Sequence, residues 1–416
     1  MKTTRLLFAL LFFAVASKGL AQEQSDSSKW FEVYGFAQTD MGYNFNQVNP
    51  DWYDVMRPSR LPSYTNEFGT DGNFYFSVRQ SRFGVKSSMH TKWGEFKTVF
   101  DFDMFGVGAN AGQTTIRLRH AYGQLGHWGA GQTESAFMDL DVFPNTLEYW
   151  GPCGMLFYRN IQVRYMPVMK EHHFLVFALE MPGASGDGGV YSDRVELTGV
   201  KAHFPYPDLS GHYRYTGKKW GYVQLGGMAR YIGWKDQGDQ AHLDTMDLSG
   251  NAIGWGVSLS TGLNIGKIVV LHLQGIYGAG VENYFNDAPV DIGIQKNPGD
   301  KTKPIKGVAL PDLGLVAFVD LNWSKKFTSS VGWSNTTITN SDGQASTAYH
   351  LGHFVEANLL YYPWPSVMVG AEFQWIYREN YMADVTANQT SPFTSQATKI
   401  NFTFKYSFSK RFYAKK

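Results

Sequence analysis

The sequence predicts an all-β protein: a transmembrane antiparallel β-barrel of about sixteen strands, with one long loop folded inward to narrow it. Three observations predict this fold. Apolar and polar residues alternate along many segments, the connections between these segments alternate between short and long, and aromatic residues make up 16% of the 416 residues. The chain also has 44 glycines, which suit turns and bulges, while Tyr, Phe and Trp favour strands. No linker or break in composition divides the chain into soluble domains.

The N-terminus predicts a signal peptide, residues 1–21, rather than part of the fold. Lys2 and Arg5 give a positive start, Leu6–Ala16 is apolar but too short to span a bilayer as a helix, and Ala21 is a small residue suited to cleavage. A buried N-terminal helix is the alternative. After cleavage, residues 22–29 are expected to form a short periplasmic lead, residues 30–408 the barrel, and residues 409–416 a basic C-terminal tail.

The alternation is clearest in the segment 95–105. Aromatic and methionine side chains fall on one face and charged side chains on the other: Phe96, Phe100, Phe102 and Met104 against Glu95, Lys97, Asp101 and Asp103. A soluble sandwich turns its aromatic residues into a shared core, whereas a barrel in lipid is apolar outside and polar inside. The predicted strands are Trp30–Phe45, Asn73–Met89, Glu95–Phe105, Thr114–Gly126, Trp128–Thr133, Phe157–Val168, His173–Glu180, Asp208–Thr216, Trp220–Trp234, Ala252–Leu263, Lys267–Gly278, Leu313–Lys325, Phe327–Thr339, His350–Tyr362, Val367–Asn380 and Ala397–Phe408.

The connections separate a membrane barrel from a soluble all-β protein. Outer-membrane barrels have short periplasmic turns and long external loops. The short connections include His90–Gly94, Gly217–Gly221, Asn264–Lys267, Ser324–Phe327 and Pro363–Ser366. The long ones include Pro182–Pro207, Lys235–Asn251, Ala279–Asp312, Asn340–Tyr349 and Tyr381–Gln396. This regular change of length along the chain favours the barrel.

Charge and cysteine content exclude several function classes. Removal of the signal peptide would take three of the 37 basic residues and leave 34 against 36 acidic ones, so nucleic acid is not expected as a partner. The single cysteine, Cys153, has no internal partner for a disulfide and is interpreted as a loop residue. The sequence has no glycine-rich phosphate loop, zinc-ligand spacing or nucleophile elbow, so no cofactor and no metal is expected.

Two alternatives of another class remain open at this point. A barrel enzyme acting on lipid would need a Ser/His pair on one wall, and the sequence offers Ser258 or Ser260 with His272 on the adjoining strand. A soluble carbohydrate-binding β-protein is the other. The main hypothesis is a non-enzymatic channel without catalytic residues.

Five arginines are predicted to face the lumen and line a pore: Arg79, Arg82, Arg117, Arg119 and Arg164. Arg117 and Arg119 alternate with Ile116 and Leu118, and an arginine turned toward lipid near the midplane costs about 2–4 kcal/mol. Arg82 has the opposite parity to Arg79, so we expect a bulge near Ser81 and Arg82 that resets the face. Arginine stays charged and offers a planar donor fork that fits a carboxylate.

The five arginines and the residues near them also allow a second interpretation. The arginines would instead pair with wall carboxylates such as Glu95, Asp101 and Asp103 and merely satisfy a polar interior. His120 and Tyr122 share the parity of Ile116 and are expected outside, in a protomer contact rather than in lipid. Arg159 also has outward parity, although it begins its strand, where a loop could re-aim it.

Several motifs in order resemble the DcaP-type porins of Gram-negative outer membranes. They are RQSRFGVKSS (79–88), IRLRHAYGQLGHWGAGQT (116–133), FMDLDVFPNTLEYWGP (137–152), RNIQVRY (159–165), GYVQLGGMARY (221–231) and AIGWGVSLS (252–260). The resemblance implies a trimeric, anion-preferring porin of the outer membrane that takes up dicarboxylic or similar small acidic compounds. Its partners would then be small acidic solutes, outer-membrane lipid and two further copies of the chain.

Three features qualify this resemblance. The last predicted strand ends on Phe408, which resembles the signal that outer-membrane barrels present to the barrel assembly machinery, but eight residues follow it. Some family members carry an N-terminal periplasmic coiled coil, for which residues 22–29 are too few. A channel selective for polyphosphate or sugar acids fits the same residues as one selective for dicarboxylates.

The segment 134–155 lacks strand alternation and is the predicted constriction loop. It carries four acids, Glu134, Asp139, Asp141 and Glu148. If the loop folds into the lumen, these acids would face the arginines across the narrowest point and create a transverse field. In the alternative, the loop is external and covers the top of the trimer.

Overall fold

The chain forms a closed antiparallel β-barrel, described by a computed structural model for residues 25–237 and 246–415. The predicted signal peptide, residues 1–21, and the start of the predicted lead lie outside the described residues. The strands are β1 (Ser25–Asn44), β2 (Asn73–Ser77), β3 (Arg82–Thr91), β4 (Gly94–Phe105), β5 (Thr114–Leu125), β6 (Trp128–Glu134), β7 (Arg159–Met169), β8 (His173–Glu180), β9 (Val200–Ala202), β10 (Asp208–Gly217), β11 (Gly221–Asp236), β12 (Gly250–Ile265), β13 (Val269–Ala279), β14 (Ile292–Lys296), β15 (Ile305–Ala309), β16 (Pro311–Leu321), β17 (Phe327–Ile338), β18 (Tyr349–Trp364), β19 (Val367–Asn380) and β20 (Thr394–Lys415).

Sixteen of the strand positions make the wall, as the sequence predicts. β2 and β3 both pair with β1 and share one position, because the strand is interrupted at residues 78–81. β9 adds a short pairing at the outer end of β11, and β14 and β15 form a separate hairpin. β20 pairs with β1 and closes the barrel.

The described residues contain no α-helix. Their helical segments are short 3₁₀ turns in the loops: Pro50–Trp52, Pro58–Arg60, Gly108–Asn110, Gly189–Tyr191, Val195–Leu197, Glu282–Tyr284 and Val385–Ala387. Within the same described ranges, none of the helices is long and apolar enough to cross a membrane.

Alternation decides which face each side chain takes. On β12, Ile253, Trp255, Val257 and Leu259 are exposed, while Ser258 and Ser260, which have the opposite parity, are buried. The same division, with apolar side chains outside and polar ones inside, recurs around the wall, for example with Phe402 against Thr403. A bilayer accepts apolar side chains, so the exposed face is the lipid face and the buried polar face is the lumen face.

The strand pairing at the two chain ends extends further than the sequence predicts. β1 begins at Ser25 instead of Trp30, and β20 runs to Lys415 instead of ending at Phe408. Residues 25–29 and 409–415 are therefore strand, not lead and tail. An ion pair of 2.7 Å joins Arg411 in the extension of β20 to Glu32 of β1. The strand pairing continues beyond the residues in which apolar and polar side chains alternate. The strand bounds predicted from alternation are therefore too short.

Two irregularities reset side-chain parity, one before β3 and one within β5. The interruption at residues 78–81 turns Arg82 and Lys86 into the lumen, as expected from the predicted bulge, and leaves Phe83 exposed. A register shift between Asp101 and Phe102, opposite Arg119, does the same to the second half of β5. His120 and Tyr122 consequently face the lumen, and their predicted outward position is wrong.

The lipid face predicts a depth-dependent cost for a charged side chain. Leu259 near the middle of β12 and Ile265 at its turn share one face and have almost equal exposures of 57% and 56%. We expect Leu259→Arg to lower the free energy of unfolding by about 2–4 kcal/mol and Ile265→Arg by about 0–1 kcal/mol. Denaturant unfolding of the protein in lipid bilayers measures both. Equal losses would contradict this assignment of the lipid face.

Candidate functional site

The loop between β6 and β7, residues 135–158, crosses the lumen; we call it the constriction loop. Its backbone is fastened to the far wall, since the N–H groups of Leu147 and Glu148 donate to the two carboxylate oxygens of Glu372 at 2.6 and 2.9 Å. Gly154 N–H donates to Ser334 Oγ at 2.9 Å on the same side. The expected inward fold of this loop is confirmed.

A second set of contacts holds the first half of the constriction loop against β11 and β12. Asp139 accepts hydrogen bonds from Tyr222 at 2.8 Å and from Ser260 at 2.5 Å. Gln224 donates to the Met138 carbonyl at 3.1 Å. The loop therefore bridges neighbouring strands of the far wall, and its path is fixed by side chains that face the lumen.

A second segment, residues 46–72 between β1 and β2, also enters the lumen. Met56 N–H donates to Glu148 at 2.6 Å, and Arg57 pairs with Asp287 of the loop after β13 at 2.9 Å. The guanidinium of Arg57 lies 4.2 Å from the rings of both Trp52 and Trp150. The constriction loop, the segment 46–72 and the loop after β13 thus meet in the lumen. Sequence alternation does not predict the inward position of the last two.

Arg117 and Arg119 face the lumen, as predicted, and share one carboxylate. Arg117 lies 2.8 Å and Arg119 3.1 Å from the same Asp103 oxygen. The Tyr149 hydroxyl of the constriction loop donates to that oxygen at 2.6 Å. Two positive charges therefore surround one buried negative charge, and the loop contacts them directly.

Arg82 and Arg164 also reach the lumen without a carboxylate partner among the described residues. The Arg82 guanidinium lies 5.2 Å from the ring of Phe36, and the Lys405 ammonium lies 3.9 Å from the same ring. Arg164 donates to Gln162 at 2.7 Å and lies over Tyr122. These side chains rest on aromatic rings and amides, and we call such cations uncompensated because they form no ion pair with a described carboxylate.

Arg79 differs from the other four predicted arginines. It is fully buried, and its guanidinium makes a two-pronged contact with Asp54, with Nε to Oδ2 at 2.9 Å. It also stacks on Phe105 at 4.1 Å. The inward segment 46–72 covers it, so Arg79 holds this segment and is not open to a solute.

Arg159 completes a cavity that the sequence interpretation did not include. A space of about 350 Å³ lies between the wall at β5 and β7, the constriction loop and the loop after β13. Arg57, Arg117 and Arg159 line it together with Tyr149 and Trp150. Nη1 of Arg159 is buried and has no hydrogen-bond partner among the described residues. Arg159 is the first residue of β7 and follows the constriction loop directly. This position in the sequence could have identified it as a candidate lumen residue.

The four predicted acids do not face the arginines across a gap. Glu134 belongs to β6 and pairs with His120 at 2.9 Å, while Asp141 pairs with Arg214 at 2.6 Å. Asp139 and Glu148 are buried in the anchors described above. The predicted arrangement of these acids across a gap from the five arginines is therefore wrong, because each acid is bound by a donor close to it. His120 binds Glu134, Tyr222 and Ser260 bind Asp139, Arg214 binds Asp141, and the N–H groups of Met56 and Gly151 bind Glu148.

With this geometry in hand, comparison with known proteins decides the family. A family model described as DcaP outer membrane protein matches residues 17–284, more than half of the chain. The chain belongs to the DcaP outer membrane protein family. It is an outer-membrane porin of a Gram-negative bacterium. No curated protein matches its sequence.

Solved structures agree with the fold of this DcaP-family porin. The outer membrane channel DcaP of Acinetobacter baumannii aligns with a TM-score of 0.72 and 18% identity over 94% of this chain and 100% of that chain. An anion-selective porin from Comamonas acidovorans gives 0.59 and 8% over 91% and 100%, and OmpT of Vibrio cholerae gives 0.55 and 10% over 93% and 100%. At these identities the likeness shows the fold.

The Ser/His pair considered from the sequence is not assembled in this porin. Ser260 donates to Asp139, and His272 lies 3.2 Å from Asp320. In the described ranges no hydrogen bond joins either serine to His272, and all three side chains face the lumen rather than lipid. Within the same ranges no group of three or more His, Cys, Asp or Glu residues could hold a metal ion.

Glu148 is the one acid of the constriction loop whose ionisation is strongly displaced. Burial raises its pKa from 4.5 to about 7, although Lys399 at 3.8 Å and the N–H groups of Gly151 and Met56 favour its charged form. Glu372 opposes ionisation through its own negative charge. The desolvation cost therefore exceeds the gain from its partners near neutral pH.

This displacement predicts a pH dependence of stability. A raised pKa in the folded state means that stability is present below pH 4.5 and is lost as the pH rises through about 7. The loss corresponds to roughly 3 kcal/mol. Glu148→Gln should flatten that part of the curve of unfolding free energy against pH, and Glu171→Gln, at an exposed turn carboxylate, should not. Identical slopes for the wild type and Glu148→Gln would contradict the assignment.

Proposed function

We propose that this porin passes small anionic solutes, with dicarboxylates as its preferred substrates, by passive diffusion along one basic side of its lumen. The observation that carries this proposal is a set of uncompensated cations. Arg82, Arg159, Arg164 and Lys405 form no ion pair with any described carboxylate. They lie on β3, β7 and β20, close in the order of the wall to Arg117 and Arg119 on β5. We call these six residues the basic wall.

The position of the constriction loop supports the proposal. Its backbone N–H groups bind Glu372, and Asn145 N–H approaches Asp320 at 3.3 Å, so the loop covers carboxylates of the far wall. Acids near the basic wall are also engaged, since Asp103 binds two arginines and Glu134 binds His120. A solute passing the loop therefore meets excess positive charge.

Pore physics links this charge to selectivity. Rings or rows of arginine and lysine bias a pore toward anions, because they replace part of the hydration of a carboxylate with charge-assisted hydrogen bonds. Two arginines that line one cavity, Arg117 and Arg159, can contact the two ends of a short dicarboxylate. Each contact is individually weak enough in a wet lumen to allow release.

Assembly and export belong to the same proposal. We infer cleavage after Ala21 and a homotrimer in the outer membrane, inserted by the barrel assembly machinery. The signal-like residues 1–21 and the strand that ends the chain support export and insertion. N-terminal sequencing of the mature protein and the mass of the detergent-extracted complex test the two statements separately.

Ion selectivity is the direct test. In a planar bilayer under a KCl gradient, we expect a reversal potential that indicates preference for chloride over potassium. Removing two uncompensated charges with Arg82→Ala and Arg159→Ala should bring the permeability ratio close to one. Arg214→Ala is the matched control, because Arg214 faces the lumen but pairs with Asp141, and it should change the ratio less. Cation selectivity of the wild type would contradict the proposal.

Substrate preference needs a separate measurement. Succinate added to one side should reduce the chloride current of the wild type at lower concentration than acetate, gluconate or short-chain polyphosphate does. Arg117→Lys keeps the charge but removes the two-pronged fork. It should weaken the succinate effect several-fold while leaving the reversal potential near its wild-type value. If gluconate or polyphosphate reduces the chloride current at lower concentration than succinate does, that anion and not a dicarboxylate is the preferred substrate.

A further inference from the structure

The lipid face of the barrel carries a groove over β8, β10, β11 and β12. Its volume is about 810 Å³, and apolar side chains border it. Gly211 and Gly227 lie directly opposite each other in the register of β10 and β11. Phe177 neighbours Gly211 on one side and Val257 neighbours Gly227 on the other. The cross-strand row therefore reads Phe177, Gly211, Gly227, Val257. Its two middle positions have no side chain, and its two outer positions carry bulky ones.

The two glycines differ in what the wall requires of them. A Cβ at Gly211 would lie 2.6 Å from the Val176 carbonyl oxygen, so the packing of the strands excludes a side chain there. A Cβ at Gly227 would meet nothing within 4 Å. The wall itself does not need glycine at residue 227, and the space above it is available to something outside the barrel.

The groove lies deep in the apolar layer of the membrane. Gly211 precedes the end of β10 at Gly217 by six residues, which is roughly 20 Å of strand at about 3.3 Å per residue. With a tilt of about 40°, this is roughly 15 Å of depth, about half of a hydrocarbon core of ~30 Å. An acyl chain whose headgroup lies at the adjoining turns reaches this depth.

The turns at that end carry positive charge. Lys170 lies in the turn between β7 and β8, and Lys218 and Lys219 lie in the turn between β10 and β11. All three are exposed, and among the described residues none forms an ion pair. The exposed rings of Tyr215 and Trp220 stand between these lysines and the groove, where amphipathic aromatic residues mark the membrane interface.

We propose that the groove holds one acyl chain of a phospholipid of the periplasmic leaflet, with its phosphate bound by Lys170, Lys218 and Lys219. The short turns place this end of the barrel on the periplasmic side. An apolar groove and a basic cluster one leaflet apart match the two ends of a phospholipid. A lipid without a phosphate would need the groove alone, so the contact with the three lysines is what distinguishes a phospholipid.

Native mass spectrometry of the full barrel in detergent with added phosphatidylglycerol tests the acyl-chain contact. We expect one lipid retained per chain. Gly227→Leu fills the groove and should lower its occupancy at least fivefold. Gly275→Leu is the matched control: this glycine shares the lipid face of β13 with Tyr277, and its added Cβ would lie 3.9 Å from Leu315. It should retain lipid like the wild type.

The headgroup contact has its own variant. Lys218→Glu with Lys219→Glu should lower phosphatidylglycerol retention at least fivefold and leave retention of a diacylglycerol, which lacks the phosphate, unchanged. Equal retention of phosphatidylglycerol by the wild type and Gly227→Leu would overturn the proposal. So would a fall from an oligomeric to a monomeric mass in Gly227→Leu, because the groove would then be a contact between copies of the chain.

Discussion

The carboxylate of Glu372 holds the backbone of the constriction loop inside the lumen. It lies on β19, is buried, and accepts two backbone N–H groups of the constriction loop while Asn358 and Gln374 donate to it from neighbouring wall positions. Hydrogen bonds to a charged acceptor are roughly twice as strong as those between neutral groups. The constriction loop also buries apolar side chains such as Phe137, Val142 and Met155 in hydrophobic clusters, so hydrogen bonds and apolar packing fix it together. One residue after Glu148, the Tyr149 hydroxyl donates to Asp103 beside Arg117 and Arg119, so the loop contacts both sides of the lumen.

The sequence predicts the faces of the strands well and the partners of the lumen arginines poorly. Alternation assigns the lipid and lumen faces of most strands, because a reversal of parity would place charged groups in hydrocarbon. It fails locally after Arg119, where the register shift is a property of the pairing with Asp101 and Phe102 and leaves no mark in the alternation itself. The reset at Arg82 was predictable because two arginines of opposite parity, Arg79 and Arg82, both had to face inward.

The partners of the arginines could not be predicted in the same way. Arg79 pairs with Asp54 and Arg57 with Asp287, both through loops that return into the lumen from different parts of the chain. The loop sequences have no regular alternation of apolar and polar residues. They therefore do not predict whether a loop folds into the lumen or how deep it reaches. The sequence correctly placed Arg117 and Arg119 in the lumen. It did not show that Asp103 binds both of them, or that Arg159 remains without an ionic partner beside them.

The proposed selectivity rests on which charges in the lumen are paired locally and not on the net charge of the chain. The residues after the predicted cleavage site carry slightly more acidic than basic side chains, which by itself gives no reason to expect an anion pathway. Several acids bind a cation or backbone N–H groups: Asp54 binds Arg79, Asp287 binds Arg57, Glu32 binds Arg411, and Glu372 binds the loop backbone. Arg82 and Lys405, in contrast, rest on the ring of Phe36, which stabilises a cation without cancelling its charge. Aromatic support in place of a carboxylate holds a positive side chain without neutralising it, and the proposed anion pathway requires cations of this kind.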